Sequence, residues 1–252
     1  MDMYEAIWFR KSTKHYSMDA LDEKMLHNIH NFISHLILLT EDVEIKYEIK
    51  TYSEARSQWG NQFGIEAPYY IVIYDKIEPG YLMNAGFFLG QLALYLTGKS
   101  VASCMINMYK GKKSNSNEKI IAALAFGKAK DSIVSQVKKP NRIPLDRLCV
   151  FKEDVSSNIK RVIKAARLAP SYMNSQPWRF IVYHNRIHIF VKRDKMIAKI
   201  FHSDQMIDVG FMLSNLLMEA ENLWLSTSVC RIDSIVTKEF QNYNYVLSVL
   251  IE

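Results

Sequence analysis

The stretch 168–180, LAPSYMNSQPWRF, predicts a helix that stops at a proline, a short polar loop and the start of a strand. Pro170 cannot continue the helix because it has no N–H and its ring would clash with the preceding turn. Ser171 and Asn174 then offer side-chain donors and acceptors in the loop, and Trp178 is expected to anchor its exit in the core. Such a loop could hold a planar polar heterocycle or a sugar, or it could be a turn capped by its own Ser and Asn.

Composition limits the classes of protein to consider. The 252 residues are 49% hydrophobic and 23% charged, which suits one large globular domain or two of modest size. The formal charge of +6 could favour a phosphorylated ligand, but the cations are spread along the chain, which does not favour nucleic acid. No apolar run reaches the roughly 18 residues that span a bilayer. The acidic N-terminus is unlike a secretion signal, so we expect a cytoplasmic protein without a membrane partner.

The three cysteines, Cys104, Cys149 and Cys230, are odd in number and far apart. No CxxC pair and no suitably spaced histidine accompanies them, so the sequence predicts no metal site. We expect all three to be buried, reduced thiols.

The first part of the chain predicts helices alternating with strands. Apolar spacing indicates an amphipathic helix over 21–38, and period-two alternation indicates a half-buried strand over 43–52. A nearly continuous β-branched and aromatic run over 67–76 is typical of a central buried strand. A buried apolar helix is expected over 84–100, and a further strand over 120–129.

The segment 137–154, with two prolines and a cluster of charges, divides two periodic regions. After it the pattern starts again with an amphipathic helix over 159–169. A hairpin turned at His184-Asn185 follows over 179–191, because Asn tolerates the left-handed conformation that such a turn needs. An apolar helix over 206–226 and a last strand complete the chain.

The second pattern resembles the first. GFFLGQL at 86–92 aligns with GFMLSNL at 210–216, although two unrelated apolar helices could also look alike by chance. We predict two similar α+β halves, 1–150 and 151–252, that imitate a homodimer with a pseudo-twofold axis between them.

In a basic run, RKSTKHY at 10–16, the residues Arg10, Lys11, Ser12 and Lys14 place three cations and a hydroxyl within five residues. A phosphate needs such charge-assisted donors together with a hydroxyl and backbone N–H groups. The alternative is a solvated basic turn.

Taken together, the two segments resemble the nitroreductase family of flavin enzymes. That family has an N-terminal Arg-Arg-Ser-x-Arg run followed by an aromatic residue, which corresponds to RKSTKHY here. It also has Ala-Pro-Ser-x-x-Asn-x-Gln-Pro-Trp-x-Phe at the end of a helix, which corresponds to APSYMNSQPWRF. NRIPLDRL at 141–148 is similar to an element that closes the family's domain. The resemblance implies an α+β nitroreductase-like fold, an antiparallel or mixed sheet flanked by helices in each half.

In ordinary members both motifs lie in one short subunit, and the flavin sits between two subunits. Here the basic run is in the first half and the loop is in the second, and neither half has both. The chain therefore resembles a fused, duplicated branch of the family, an intrachain pseudo-dimer with one composite site. A monomer of this kind could be complete, which leaves the number of chains in the assembly open.

The resemblance implies FMN as the cofactor, with NADH or NADPH as the reductant. The basic run would grip the phosphate and ribityl chain, Arg142 would reach the same phosphate, and the polar loop would contact the isoalloxazine. Replacing two family arginines by lysines keeps the charge but loses bidentate geometry. The implied cofactor-binding residues are Arg10, Lys11, Ser12, Lys14, Asn61, Asn107, Met108, Arg142, Pro170, Ser171, Tyr172 and Asn174.

The implied function is ping-pong hydride transfer from NAD(P)H through FMN to a nitroaromatic, a quinone or a similar small-molecule acceptor. No catalytic side chain is then obligatory, because the cofactor carries the chemistry. Three alternatives stay open: a flavin store or sensor without NAD(P)H turnover, a cofactor-free scaffold, and another flavin reaction such as dehalogenation or flavin fragmentation.

Overall fold

Helices and strands alternate along the chain, and the strands form two sheets. The computed structural model describes residues 1–40, 42–61, 63–107, 119–130, 141–192, 198–233, 235 and 238–252. The first group of elements is α1 (Met3–Phe9), α2 (Glu23–Ser34), β1 (Tyr47–Thr51), α3 (Tyr52–Trp59), β2 (Tyr69–Tyr74), α4 (Tyr81–Gly98), β3 (Ala102–Asn107) and β4 (Ile120–Gly127). The second is α5 (Leu145–Leu148), β5 (Cys149–Phe151), α6 (Ser157–Arg167), a 3-10 turn (Tyr172–Asn174), β6 (Trp178–Val182), β7 (Arg186–Lys192), α7 (Ala198–Asn222), β8 (Thr227–Cys230) and β9 (Tyr243–Ile251).

The two sheets have the same strand order. The first runs β1-β2-β4-β3, and the second runs β6-β7-β9-β8 with β5 added outside β6. Neighbouring strands are antiparallel, except that β5 pairs with β6 in parallel. The predicted boundary after residue 150 falls inside β5, a strand that belongs to the second sheet. The architecture is the α+β class that the sequence predicts.

Local sequence explains where several elements begin and end. The predicted hairpin is confirmed, since β6 and β7 flank His184 and Asn185. The expected left-handed conformation at its turn is wrong, because Asn185 does not have a positive φ. Helix α3 was not expected, although Thr51 and Glu54 form the reciprocal hydrogen bonds of a capping box. Helix α2 ends at Ser34, short of the predicted residue 38. The hydroxyl of Ser34 donates to the carbonyl of Asn31 at 2.8 Å and so competes with the backbone hydrogen bonds of the last turn.

The core lies between the sheets, where α4 crosses α7. At Gly86 an added Cβ would lie 2.0 Å from the carbonyl oxygen of Ile207, and at Gly210 it would lie 1.9 Å from that of Met83. Each glycine therefore contacts the residue three positions before the other glycine. The two helices therefore approach each other backbone to backbone at this crossing.

The described helices include none with the length and hydropathy needed to cross a membrane. The cysteines are free thiols, and Cys104 and Cys149 are buried as expected. Cys230 is partly exposed, contrary to expectation, because it ends β8 at the edge of the second sheet.

Candidate functional site

The basic run lies in extended conformation along the edge of the first sheet. Helix α1 ends at Phe9, and the chain leaves it at Arg10 with φ −55° and ψ 130°. The N–H of Thr13 donates to the carbonyl of Ser103 at 3.1 Å, and Ser12 forms a parallel bridge with the same residue of β3. These bonds to the edge strand fix the backbone of the run.

The polar loop after α6 adopts a strained backbone. Met173, Asn174 and Gln176 have φ values of 48°, 55° and 45°, a region that non-glycine residues adopt at a cost of about 1–3 kcal/mol each. Two backbone N–H groups hold this conformation. The N–H of Tyr172 donates to both carboxylate oxygens of Asp208, at 3.0 and 3.1 Å, and the N–H of Gln176 donates to the Oγ of Ser171 at 2.8 Å.

A second set of bonds ties this loop to the segment 141–143. Arg142 donates through Nη1 to the Oδ1 of Asn174 at 2.7 Å and through Nη2 to the carbonyl of Leu168 at 2.8 Å. The Nδ2 of Asn174 donates to the carbonyl of Asn141 at 2.8 Å, and the N–H of Ile143 donates to the Oε1 of Gln176 at 2.8 Å. The Asn and Gln of the motif are therefore engaged within the protein.

The basic run and the polar loop face each other across a cleft of about 560 Å³, within the usual range for ligand sites. Nine of the twelve predicted site residues line it, namely Arg10, Lys11, Ser12, Lys14, Arg142, Pro170, Ser171, Tyr172 and Asn174. Sequence reasoning missed the remaining lining residues, which are Ile65, Cys104, Met105, Ile106, Asn141 and Met173. The structure thus brings together two segments that lie about 160 residues apart in the sequence.

The charge at this cleft is positive and partly buried. Arg10 and Arg142 are only 8% and 9% exposed, and no described carboxylate pairs with either. Burial and the nearby charge of Arg142 lower the pKa of Arg10 to about 10. Burial and the charge of Arg167 lower the pKa of Arg142 as well. The Nε of Arg142 is buried without a hydrogen-bond partner. Such an arrangement favours an anion, because buried guanidinium groups without a counter-charge are costly.

Three predicted residues are not placed at the cleft. Asn61 is exposed and lines a separate small cavity beside α3, where its Oδ1 accepts from Arg56. Asn107 ends β3, but its side chain lies outside the described part of the structure. Met108 lies outside the described residues altogether.

Asp208 is a functional candidate that sequence reasoning missed. Asp208 is only 1% exposed, and its carboxylate holds the loop from helix α7. A charged residue within the apolar run MIDVGFML was the available signal, since carboxylates are almost never fully buried without a partner. No group of described residues has the composition and geometry of a metal site.

The sequence matches the family described as "Putative TM nitroreductase" over residues 2–220. The chain belongs to this family. Membership supports a general oxidoreductase function for the protein. No curated protein matches the chain.

Solved structures show the same nitroreductase fold. A "putative nitroreductase" from Thermotoga maritima MSB8 superposes with a TM-score of 0.68 at 17% identity, over 100% of this chain and 93% of that one. The FMN- and NADPH-dependent nitroreductase NfnB from Sphigopyxis sp. strain HMH gives a TM-score of 0.52 at 12% identity. It covers 61% of this chain and 100% of its own.

Proposed function

We propose that this family member is an FMN-dependent oxidoreductase that uses NADH or NADPH to reduce a nitroaromatic, a quinone or a similar small molecule. The proposal is supported by family membership and by the stated FMN and NADPH dependence of NfnB, whose fold the chain shares. When bound, FMN supplies the hydride-transfer chemistry, and the protein supplies binding, orientation and electrostatics.

The observation that carries the proposal is the pair of buried guanidinium groups at the cleft. Arg10 and Arg142 come from opposite sides of the cleft and lack a described carboxylate partner. Lys11, Lys14 and the hydroxyl of Ser12 line the same space. Two guanidinium groups, two ammonium groups and a hydroxyl fit the phosphate end of FMN, because each offers a donor to a phosphate oxygen.

The polar loop would hold the isoalloxazine. Since the side chain of Asn174 is already bonded to Arg142 and Asn141, we assign it to positioning Arg142 rather than to direct recognition. The hydroxyl of Ser171 accepts from Gln176, and its proton remains available, with no acceptor among the described residues. Pro170 and Tyr172 would add contact surface at the rim.

We also infer that the site is composite because the chain is a duplicated pseudo-dimer with halves 1–150 and 151–252. The common strand order of the two sheets and the reciprocal contacts of Gly86 and Gly210 support this inference. The first half would contribute the basic run and Arg142, and the second half would contribute the polar loop.

The direct test is FMN titration of the purified protein, followed by absorbance in the visible range. Arg10→Met should weaken FMN binding by about thirtyfold or more, since truncating one partner of a buried charge pair costs about 2–5 kcal/mol. Arg147→Met is the matched control, because Arg147 is exposed on α5 and does not line the cleft. A wild-type protein that takes up no FMN would refute the proposal and favour the cofactor-free scaffold.

A stability measurement separates a binding role of Arg10 from a structural role. Without FMN, Arg10 is a buried charge without a described counter-charge, so Arg10→Met should not lower the melting temperature of the FMN-free protein. A lower melting temperature would show that the arginine stabilises the fold instead.

The reductant is tested by mixing the FMN-loaded protein anaerobically with NADH or NADPH. Bleaching of the flavin absorbance is the expected result. Stable yellow colour with both nucleotides would favour a flavin store or sensor.

A further inference from the structure

A second cavity lies on the other side of the basic run. It has a volume of about 900 Å³, larger than the cleft just described. Lys11, Ser12 and Lys14 line both spaces, so the basic run is the wall between them. The remaining walls come from the start of α2, the end of α4 and the residues after β4. Of the predicted site residues that the structure describes, none outside the basic run lines this cavity.

Apolar side chains cover part of the cavity wall. Leu21 and Val101 are buried beneath it, and Met25 is half-buried. Phe9, at the end of α1, leaves 65% of its surface exposed at the same place. Such a surface accommodates an apolar body, since burying it removes apolar area from water.

The charged groups on the cavity are almost all cationic. Lys14, Lys99, Lys128 and Lys130 line it, and none forms an ion pair with a described carboxylate. Of the described lining residues only Asp22 is acidic, and its Oδ1 is used to accept from the N–H of Met25 as the N-cap of α2. Among the described residues the cavity therefore combines an apolar wall with an excess of positive charge, which attracts anions.

We propose that this second cavity binds an amphipathic organic anion, a molecule with an aromatic or alkyl body and one acidic headgroup. The body would lie against Leu21, Met25 and Phe9, and the headgroup would face the lysines after β4. The site is separate from the cofactor cleft, and the proposal does not depend on FMN binding.

The test uses 8-anilinonaphthalene-1-sulfonate and its uncharged parent N-phenyl-1-naphthylamine, each measured by equilibrium dialysis against the whole protein. Lys128→Glu/Lys130→Glu should weaken binding of the sulfonate by about tenfold, because two nearby attractive charges become repulsive. The same variant should bind the uncharged parent as the wild type does. Lys160→Glu/Lys164→Glu is the matched control. It changes the net charge equally on the exposed face of α6 and should alter neither affinity by more than about twofold.

Saturation with FMN distinguishes the two sites. One sulfonate should still bind per chain when FMN is present, and Lys128→Glu/Lys130→Glu should take up FMN as the wild type does. Three outcomes would each overturn the proposal. The sulfonate could show no measurable binding, it could bind the wild type and the Lys128→Glu/Lys130→Glu variant with equal affinity, or it could be lost when FMN is added. If only the FMN titration fails, the proposed function is refuted, whereas the proposal for the second cavity is unaffected.

Discussion

Replacing either crossing glycine by alanine tests the packing of α4 against α7. In Gly86→Ala the new methyl group would lie 2.0 Å from the carbonyl oxygen of Ile207, and in Gly210→Ala it would lie 1.9 Å from that of Met83. Both obstacles are backbone atoms in helices, so no side chain can rotate to make room. The helices must separate.

The expected cost follows from two opposing effects. Alanine favours a helix interior over glycine by about 1 kcal/mol. Overpacking a well-filled core costs about 1–3 kcal/mol and occasionally more, and contacts this short belong at or above the upper end of that range. The net loss should therefore be about 2 kcal/mol for each variant, which lowers the melting temperature of a chain of this size by about 4–8 °C.

Thermal unfolding followed by far-ultraviolet circular dichroism measures both losses. Because the two contacts are reciprocal, the two single variants should lose similar stability. The double variant should lose less than the sum of the two single losses, since one separation of the helices relieves both clashes. Gly98→Ala is the control: its Cβ would lie 3.0 Å from the nearest atom, at the end of α4, and the change should be small. A melting temperature within 1–2 °C of wild type (about 0.5 kcal/mol) in Gly86→Ala or Gly210→Ala would refute the close approach of the helices.

Two further predictions concern buried polar groups. Asp208→Ala should weaken FMN binding, because the N–H of Tyr172 loses its acceptor. Asp208→Asn keeps one acceptor oxygen and should bind FMN more tightly than the alanine variant. Equal FMN affinity of the two variants in titration would contradict this role. His188 bonds to Ser248 at 2.6 Å, and burial and the charge of Arg186 lower its pKa from the ordinary 6.5. The unfolded chain therefore binds the proton more readily, so stability falls as the pH drops below about 6.5. His188→Gln should flatten that decline in urea unfolding, and an unchanged slope would contradict the assignment.

Short motifs made much of the cleft predictable from the sequence. The basic run and the polar loop are each a short continuous segment, and each was recognised from the spacing of its residues. Nine of the residues predicted in this way line one cleft. Arg142 is the most informative of these, because its burial decides against a surface arginine. The sequence could not reveal that the loop residues Ser171 and Asn174 would also bond within the protein. The loop therefore caps itself and also lines a cleft, and its role in holding a heterocycle or a sugar stays a prediction.

The missed residues depend on tertiary packing. Cys104 and Ile106 reach the cleft because β3 is an edge strand beside the basic run, and apolar alternation does not specify which strand lies at an edge. Asp208 reaches the loop because α7 packs against α6 and against the 3-10 turn that follows it. Asn61 was expected from its place ahead of a strand, but a bond to Arg56 at the end of α3 holds it elsewhere.

The two sides of the crossing between α4 and α7 differ for a local physical reason. Asn84 and Asp208 each stand two residues before a crossing glycine, and each side chain accepts from the backbone after the preceding amphipathic helix, from Leu39 at 2.8 Å and from Tyr172 at 3.0 Å. A hydrogen bond to one of the two crossing helices, α4 or α7, is thus present on both sides. The two sides differ in the segment that donates this hydrogen bond. After α2 it is apolar, whereas after α6 it is polar, strained and bonded to Arg142. This hydrogen bond alone supplies no donors to a ligand. The chemistry of the donating segment therefore decides which side can line a binding site.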